Sequence, residues 1–289
     1  MNPGDKGLSF YERGATTMFA CQYDPRFSFC AYIPSSYREE ESGSYPLAVV
    51  VHGTARTAQG YRDAFADFAE STNTVILAPL FPAGIVAPWE VSSYKYVKWG
   101  DIRFDHILLA MIDELSEKVR IQKDRFLLFG FSGGGHFAHR FYYVHPERLL
   151  GVSIGAPGIL TYIDPTQRWY VGTKDMEELF GKSLSLEAMR QVPVQMVIGS
   201  EDVETWEIND KASAHWMDGT DAHGRTRLAR LAALRDNYEQ QGISVRYDVV
   251  LGIAHDGSKV LAEVKDFFAQ VLAEMRGTSQ LTGLGGESR

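Results

Sequence analysis

Short, continuously apolar runs alternate with longer segments of helical spacing through most of the chain. Residues 46–51, 74–78 and 125–129 are such runs, and each has the length and composition of a strand buried on both faces of a sheet. Between them, residues 102–119 carry apolar side chains at helical intervals, which predicts a long amphipathic helix. This alternation predicts an α/β fold with a mainly parallel sheet.

The length of the chain, 289 residues, suits one large α/β domain. The alternation breaks over residues 158–191 and 203–224, where aromatic residues mix with glycine and aspartate. We interpret the first of these segments as a small inserted cap above the sheet and the second as another irregular insertion. We therefore predict a single domain over residues 1–275, followed by a flexible tail, rich in glycine, serine and threonine, over residues 276–289.

The N-terminal part of the chain lacks the alternation of strand and helix patterns found in the rest. Residues 17–23 and 27–33 are β-prone and are separated by Asp24-Pro25-Arg26, which predicts an antiparallel hairpin at the edge of the sheet. The only cysteines of the sequence, Cys21 and Cys30, lie in this region. They form either one bridge across the hairpin or two reduced buried thiols, and the second interpretation is favoured.

Charge and hydropathy bear on the partners of the protein. Lys and Arg total 29 against 37 Asp and Glu, so the net charge is −8 and the sequence lacks the basic character of nucleic-acid or anionic-membrane binding. The first residues have no apolar segment of the signal-peptide type, and no run of about 18 apolar residues occurs. We expect a cytoplasmic protein whose partner is a small-molecule substrate.

The pattern Gly-x-Ser-x-Gly occurs twice, around Ser132 and around Ser153. Ser132 follows a predicted strand and precedes a predicted helix, and its glycine neighbours allow the sharp turn that exposes a nucleophilic serine. Ser153 lies inside a predicted strand, and Ala-Pro-Gly follows where a helix should begin. Ser132 is therefore the candidate nucleophile, and the alternative is a glycine-rich turn without chemistry.

A serine hydroxyl needs a base to act as a nucleophile at neutral pH. His255 lies between the last predicted strand and the last predicted helix, which places it at the carboxyl edge of the sheet with Ser132. Asp202 follows another predicted strand at the same edge and could orient the histidine. Glu201 and Glu204 remain alternatives for this acid.

An oxyanion site needs two hydrogen-bond donors. The N–H group of Gly133, directly after the candidate nucleophile, is one candidate. The other is the N–H group of Thr54, because the apolar run at residues 46–51 ends in His52-Gly53-Thr54. We interpret His52 as a buried residue that braces this loop, rather than as a group that transfers protons.

These motifs occur in an order that resembles the α/β-hydrolase superfamily over about residues 47–275. The segments HGTARTA at 52–58, GFSGGG at 130–135 and HPER at 145–148 are similar to the esterase and polyhydroxybutyrate-depolymerase-like branch. The resemblance implies an α/β-hydrolase fold: a mostly parallel eight-stranded sheet with helices on both faces and a small inserted cap. It also implies a serine nucleophile and no cofactor. Secreted depolymerases carry signal peptides and disulfides, and this chain shows neither, so a polymer substrate is not expected.

The insertions should cover the carboxyl edge and form the substrate pocket. Their aromatic residues suit an apolar or aromatic substrate, although the same rings could serve only to pack the cap on the core. Arg56 and Tyr61, near the oxyanion loop, could contact an acidic group of the substrate. The candidate substrate-binding residues are Phe131, Trp169, Tyr170, Trp206, Arg56 and Tyr61.

The combined features predict a serine hydrolase that cleaves a carboxylic ester through an acyl-enzyme, with thioesters and amides as further possible substrates. Two alternatives stay open. The same triad could catalyse acyl transfer, a lyase reaction or hydrolysis of a carbon–carbon bond, or the fold could serve as a non-catalytic binding protein.

Overall fold

The structure is a computed structural model that describes residues 7–39 and 43–283. In this part of the chain, nine strands form one sheet and two more form a separate ribbon. The strands are β1 (Gly14–Ala15), β2 (Phe19–Ala20), β3 (Ser28–Ile33), β4 (Leu47–Val51), β5 (Val75–Leu80), β6 (Lys98–Trp99), β7 (Ile102–Arg103), β8 (Phe126–Phe131), β9 (Leu149–Gly155), β10 (Val194–Gly199) and β11 (Val245–Val250).

The main sheet has the strand order β1-β3-β5-β4-β8-β9-β10-β11, with β2 paired beside β3. From β5 to β11 all neighbouring strands are parallel, whereas β3 runs antiparallel to β5, β1 and β2. The central strands β4 and β8 are buried along their whole length, which explains why their sequences are continuously apolar. The predicted, mainly parallel sheet is confirmed.

Helices cover both faces of this sheet. In β8, Phe126 contacts Phe141 on one face, and Phe129 contacts Phe65 on the other, because residues an odd number apart in a strand point to opposite sides. No helix in the described ranges has the length and apolarity to cross a bilayer. The helices are α1 (Ala58–Ala64), α2 (Ala66–Thr72), α3 (Phe104–Ser116), α4 (Gly133–Val144), α5 (Met176–Phe180), α6 (Leu186–Arg190), α7 (Arg227–Gln240) and α8 (Leu261–Gly283).

The edge hairpin forms between β2 and β3, where Phe19 pairs with Phe29. Cys21 and Cys30 are buried free thiols, as favoured from the sequence. The sequence did not indicate β1, which pairs with the far end of β3 through Gly14 and Ile33. A strand of two residues has no periodicity to detect.

Several element ends differ from the prediction. Residues 57–71 have helical spacing in the sequence, but the structure divides them at Phe65 into α1 and α2. Strand β5 continues beyond the apolar run at 74–78, through Pro79 to Leu80. Helix α8 continues past Met275 to Gly283, because no proline follows to stop it, so the segment predicted as a flexible tail begins as helix. Residues 284–289 of that tail lie outside the described residues.

The cap segment 158–191 contains the short helices α5 and α6 joined by turns, and residues 203–224 form successive turns without regular structure. A third segment, which the sequence did not assign, lies between β5 and α3. It contains a 3-10 turn at Ser93–Tyr96, which packs against α4, and the ribbon of β6 and β7.

In the turn from β8 into α4, the backbone lies directly against the backbone of β4. A Cβ atom on Gly134 would lie 2.2 Å from the carbonyl oxygen of Val51 in β4, and one on Gly130 would lie 2.1 Å from the carbonyl oxygen of Gly134. Both distances are far below contact, so only glycine allows this turn to sit so close to β4.

We expect Gly134→Ala to lower the free energy of unfolding by about 2 kcal/mol or more, because the added methyl group must displace backbone rather than a flexible side chain. Gly60→Ala is the matched control, since Gly60 also lies in a helix and its Cβ would meet only Thr57 Cβ at 3.8 Å. It should be neutral or stabilising by about 0.5–1 kcal/mol. Urea denaturation of both variants measures the difference; equal effects would contradict the contact described here.

Candidate active site

Ser132 occupies the turn between β8 and α4. Its backbone has φ 54° and ψ −114°, a conformation that residues with a side chain rarely adopt. Its N–H group donates to the carbonyl of Gly155 at 2.8 Å, and its own carbonyl accepts from His136 N at 3.0 Å. The surroundings thus hold a strained turn of the kind that exposes a nucleophilic serine. The second motif serine, Ser153, is buried in β9 and donates to Gln195 Oε1 at 2.7 Å.

Asp202 and His255 are in direct contact. His255 Nδ1 lies 2.5 Å from Asp202 Oδ2, and because a carboxylate only accepts, Nδ1 carries the proton and Nε2 is left to accept one. Asp202 is fully buried, whereas Glu201 and Glu204 are exposed. Of the three candidate acids, the structure therefore pairs Asp202 with the histidine.

The loops after β10 and β11 are tied together, which explains this pairing. Glu201 N donates to Ile253 O at 2.8 Å, and Gly252 N donates to Ser200 Oγ at 2.9 Å. Gly199 allows the approach, since a Cβ there would lie 2.1 Å from the carbonyl oxygen of Ile253. Residues distant in sequence are thus fixed side by side at the carboxyl edge.

The same edge carries Ser132. The ring of His255 lies 5.0 Å, centroid to centroid, from that of Phe131, which precedes Ser132. Among the described residues, no hydrogen bond joins Ser132 Oγ to His255. In enzymes without bound substrate this contact is often long and tightens on binding. The serine–histidine bond therefore stays a prediction, whereas the histidine–aspartate bond is present.

The two backbone groups predicted as oxyanion donors lie close together. A Cβ atom on Gly133 would be 3.1 Å from Thr54 N, and one on Gly53 would be 3.9 Å from Ser132 Cβ. Within the described ranges, neither the N–H of Thr54 nor that of Gly133 donates to a protein acceptor. The arrangement can place two N–H groups beside a carbonyl oxygen bound at Ser132.

His52 braces the loop that carries Thr54. Its Nε2 accepts from Phe81 N at 3.0 Å, and its Nδ1 lies 2.8 Å from Gly53 O, so Nδ1 carries the proton and donates to that carbonyl. Complete burial lowers the pKa of His52 to about 4, so the ring is neutral at pH 7. Tyr94 donates its hydroxyl to His52 O at 3.1 Å and closes the far side of the loop.

A cavity of about 210 Å³ opens beside Ser132. Polar, charged and apolar residues all contribute to its wall, whereas the sequence led us to expect a pocket for an apolar or aromatic group. The two insertions contain charged residues as well as aromatic residues, and the amino-acid composition does not show which of these side chains face the cavity. Prominent lining residues are Thr54, Ser92, Lys95, His136, Glu207 and Arg227.

Lys95 was not identified from the sequence. It lies in the 3-10 turn at Ser93–Tyr96, is only 8% exposed, and donates from Nζ to Ser92 Oγ at 3.3 Å. Its Cε would be 3.1 Å from a Cβ on Gly133, which places the side chain beside the oxyanion donors. Burial lowers the pKa of Lys95 to about 8, so the ammonium is still mostly charged at pH 7.

Arg227, the first residue of α7, was also missed, because a single arginine at a helix start has no distinctive pattern. It is 3% exposed. Its guanidinium lies 3.4 Å from Asp202 Oδ1 through Nη1 and 2.5 Å from Glu207 Oε2 through Nη2. The fully buried carboxylate of Asp202 therefore has a cationic neighbour as well as His255.

Two of the residues predicted to bind substrate line a second groove, of about 460 Å³. These are Trp169 and Tyr170 of the cap, and Trp99 and Trp216 complete the aromatic wall. The groove and the cavity beside Ser132 share Tyr96 and His215 as lining residues, so they adjoin.

The other predicted substrate residues lie elsewhere. Trp206 is 74% exposed and lines neither space, and Phe131 is buried against His255. Tyr61 is half-buried beside Phe129. Arg56 donates to the carbonyl oxygens of Thr54, Phe81 and Val91. Its guanidinium therefore holds these loop segments together and is not placed as a substrate contact.

Solved structures share this architecture. Poly(aspartic acid) hydrolase-1 from Sphingomonas sp. KT-1 is 20% identical, with 88% of this chain and 98% of that chain covered and a TM-score of 0.70. A poly(3-hydroxybutyrate) depolymerase from Bordetella parapertussis is 23% identical, with 80% of each chain covered and a TM-score of 0.63. The chain has the α/β-hydrolase fold.

A ferulic acid esterase shares the fold at 14% identity, with 89% of this chain and 97% of that chain covered and a TM-score of 0.55. No family model and no curated protein sequence matches the chain. At these identities the likeness concerns the fold, and the chemistry must be argued from the site itself.

We expect Arg227→Met to lower the free energy of unfolding by about 3 kcal/mol, because it leaves a buried carboxylate with one partner fewer. Adding Asp202→Asn should recover part of this loss by removing the charge. Arg235→Met is the control, since the Arg235–Asp236 pair is largely exposed and should contribute less than about 1 kcal/mol. Chemical denaturation compares the variants; a loss no greater than that of the control would refute the role of Arg227.

Proposed function

We propose that this protein is a serine hydrolase that cleaves carboxylic esters through an acyl-enzyme, with Ser132, His255 and Asp202 as its triad. The observation that supports the proposal most directly is the bonded pair of His255 and buried Asp202, held at the edge where Ser132 occupies a strained strand-to-helix turn. A structural role alone does not require a serine in this conformation.

In the proposed reaction, Ser132 Oγ attacks the ester carbonyl while His255 Nε2 takes the hydroxyl proton. Asp202 holds the ring in the required tautomer and stabilises the imidazolium that forms. The N–H groups of Thr54 and Gly133 stabilise the oxyanion of the tetrahedral intermediate. His255 then gives its proton to the departing alcohol, and a water molecule activated by His255 hydrolyses the acyl-enzyme.

The named neighbours favour an acyl bond as the target, since they include esterases and hydrolases of polymers. Thioesters and amides pass through the same tetrahedral intermediate and remain possible substrates of the proposed site. The aromatic groove beyond Tyr96 and His215 offers room for a larger apolar or aromatic part of the substrate.

Ser132→Ala should reduce kcat for 4-nitrophenyl butyrate by about 10⁴-fold or more, because the attacking oxygen is removed. A fluorophosphonate probe should label the wild-type protein and not this variant. Ser153→Ala, in the other Gly-x-Ser-x-Gly segment, is the control and should keep both labelling and turnover. Circular dichroism checks that each variant is folded, and ester turnover by folded Ser132→Ala would disprove the proposed nucleophile.

Asp202→Asn should lower kcat by about 10⁴-fold, because an amide can donate to Nδ1 and so favours the wrong tautomer of His255. Asp256→Asn is a close control: Asp256 is next to His255 but is exposed, and its carboxylate accepts from the N–H and hydroxyl of Ser258. Its kcat should stay within about threefold of wild type, as surface changes usually have small effects. Equal losses in the two variants would argue against a special role for Asp202.

A further inference from the structure

Residues that line the cavity beside Ser132 carry buried hydrogen-bond donors with no acceptor among the described residues. His136 Nε2 accepts from Gly158 N at 2.7 Å and from Ile159 N at 2.8 Å, so the proton of this neutral ring is on Nδ1. That Nδ1 is buried and, in the part of the chain that the structure describes, has no partner. A buried donor without an acceptor costs free energy unless a ligand or water satisfies it.

Arg227 is a second such donor in the same wall. Its Nη atoms contact Asp202 and Glu207, but its Nε is buried and unpartnered among the described residues. Lys95 is a third case. Its buried ammonium can donate three hydrogen bonds, but among the residues that the structure describes it donates one, a long bond to Ser92.

Of the described residues, two cationic side chains, Lys95 and Arg227, line the cavity together with one carboxylate, Glu207. Behind Lys95, the buried guanidinium of Arg140 donates to Lys95 O, Ile159 O and Thr161 Oγ1, and none of these partners is a carboxylate. The acidic groups that act on Lys95 are Glu207, which is paired with Arg227, and Glu90, which accepts from Ser92 N. A buried cation without a full counter-charge is costly, and an anionic ligand would supply that charge.

We propose that this cavity binds a carboxylate of the substrate, so that the preferred ester is the monoester of a short dicarboxylic acid. This inference rests on the proposed function. Lys95, His136 and Arg227 provide the donors, and Lys95 provides the charge that no protein carboxylate fully balances.

The position of the cavity places this carboxylate on the acyl side of the ester. The departing alcohol must face His255, which protonates it, and His255 is not among the described residues that line the cavity. Thr54 and Ser132, which flank the carbonyl in the proposed reaction, do line it. Lys95 lies next to Gly133, so only a short carbon chain separates the two carboxyl carbons of the preferred acid.

Two esters that differ in one charge test the inference: 4-nitrophenyl hydrogen glutarate and methyl 4-nitrophenyl glutarate. We expect wild-type kcat/KM to favour the free acid by about tenfold or more, the size of a charged hydrogen bond. Lys95→Met should reduce this ratio about tenfold. Lys118→Met removes the same charge from an exposed lysine paired with Glu12 and should leave the ratio unchanged.

Equal wild-type kcat/KM for the two esters would overturn the inference, while leaving the proposed function intact. A uniform loss for both esters in Lys95→Met, with an unchanged ratio, would overturn it too and assign Lys95 to the oxyanion.

Calorimetric binding of glutarate separates this inference from the proposed function. If glutarate binds the wild-type protein more strongly than glutaramide does, the carboxylate subsite is supported. If in addition neither ester is cleaved, only the proposed hydrolase activity is refuted. Failure of glutarate to bind would count against the subsite. This comparison needs no variant, so it decides the matter even if Lys95→Met does not fold.

Discussion

The close backbone contact between the β8–α4 turn and β4 is the constraint on which the site depends. Because Gly134 has no side chain, the turn lies against the carbonyl of Val51, and the loop after β4 is brought beside Ser132. The same contact sets Thr54 N near Gly133 and helps to hold the strained φ of Ser132. The proposed nucleophile and the proposed oxyanion donors are therefore positioned together by one packing contact.

Burial of charge is the second organising theme. Asp202 is fully buried, and it is held by His255 and by Arg227, which also contacts Glu207 on the cavity wall. Arg227 therefore contacts the acid of the proposed triad and also lines the cavity beside Ser132. Electrostatic preorganisation of this kind costs stability, and the surrounding core of aromatic and aliphatic residues offsets that cost.

The sequence predicts the parts of this molecule that depend on local pattern. Strands such as β4 and β8 are continuously apolar, and the carboxyl-edge rule for parallel sheets predicts from the sequence that Ser132, Asp202 and His255 lie at one edge. Lys95 and Arg227 could not be found this way. Their importance arises from burial beside the cavity, which depends on how irregular segments fold over the sheet and leaves no periodic signal.

Buried arginines fasten those irregular segments in place. Arg230 donates to Gly158 O, Ile208 O and Gly224 O, which ties both insertions to α7, and Arg140 joins the 3-10 turn at Ser93–Tyr96 to the start of the cap. These hydrogen bonds join the segments above the cavity to the helices α4 and α7. We therefore expect the rate of ligand association to depend on diffusion and charge, rather than on a hinge motion of these segments.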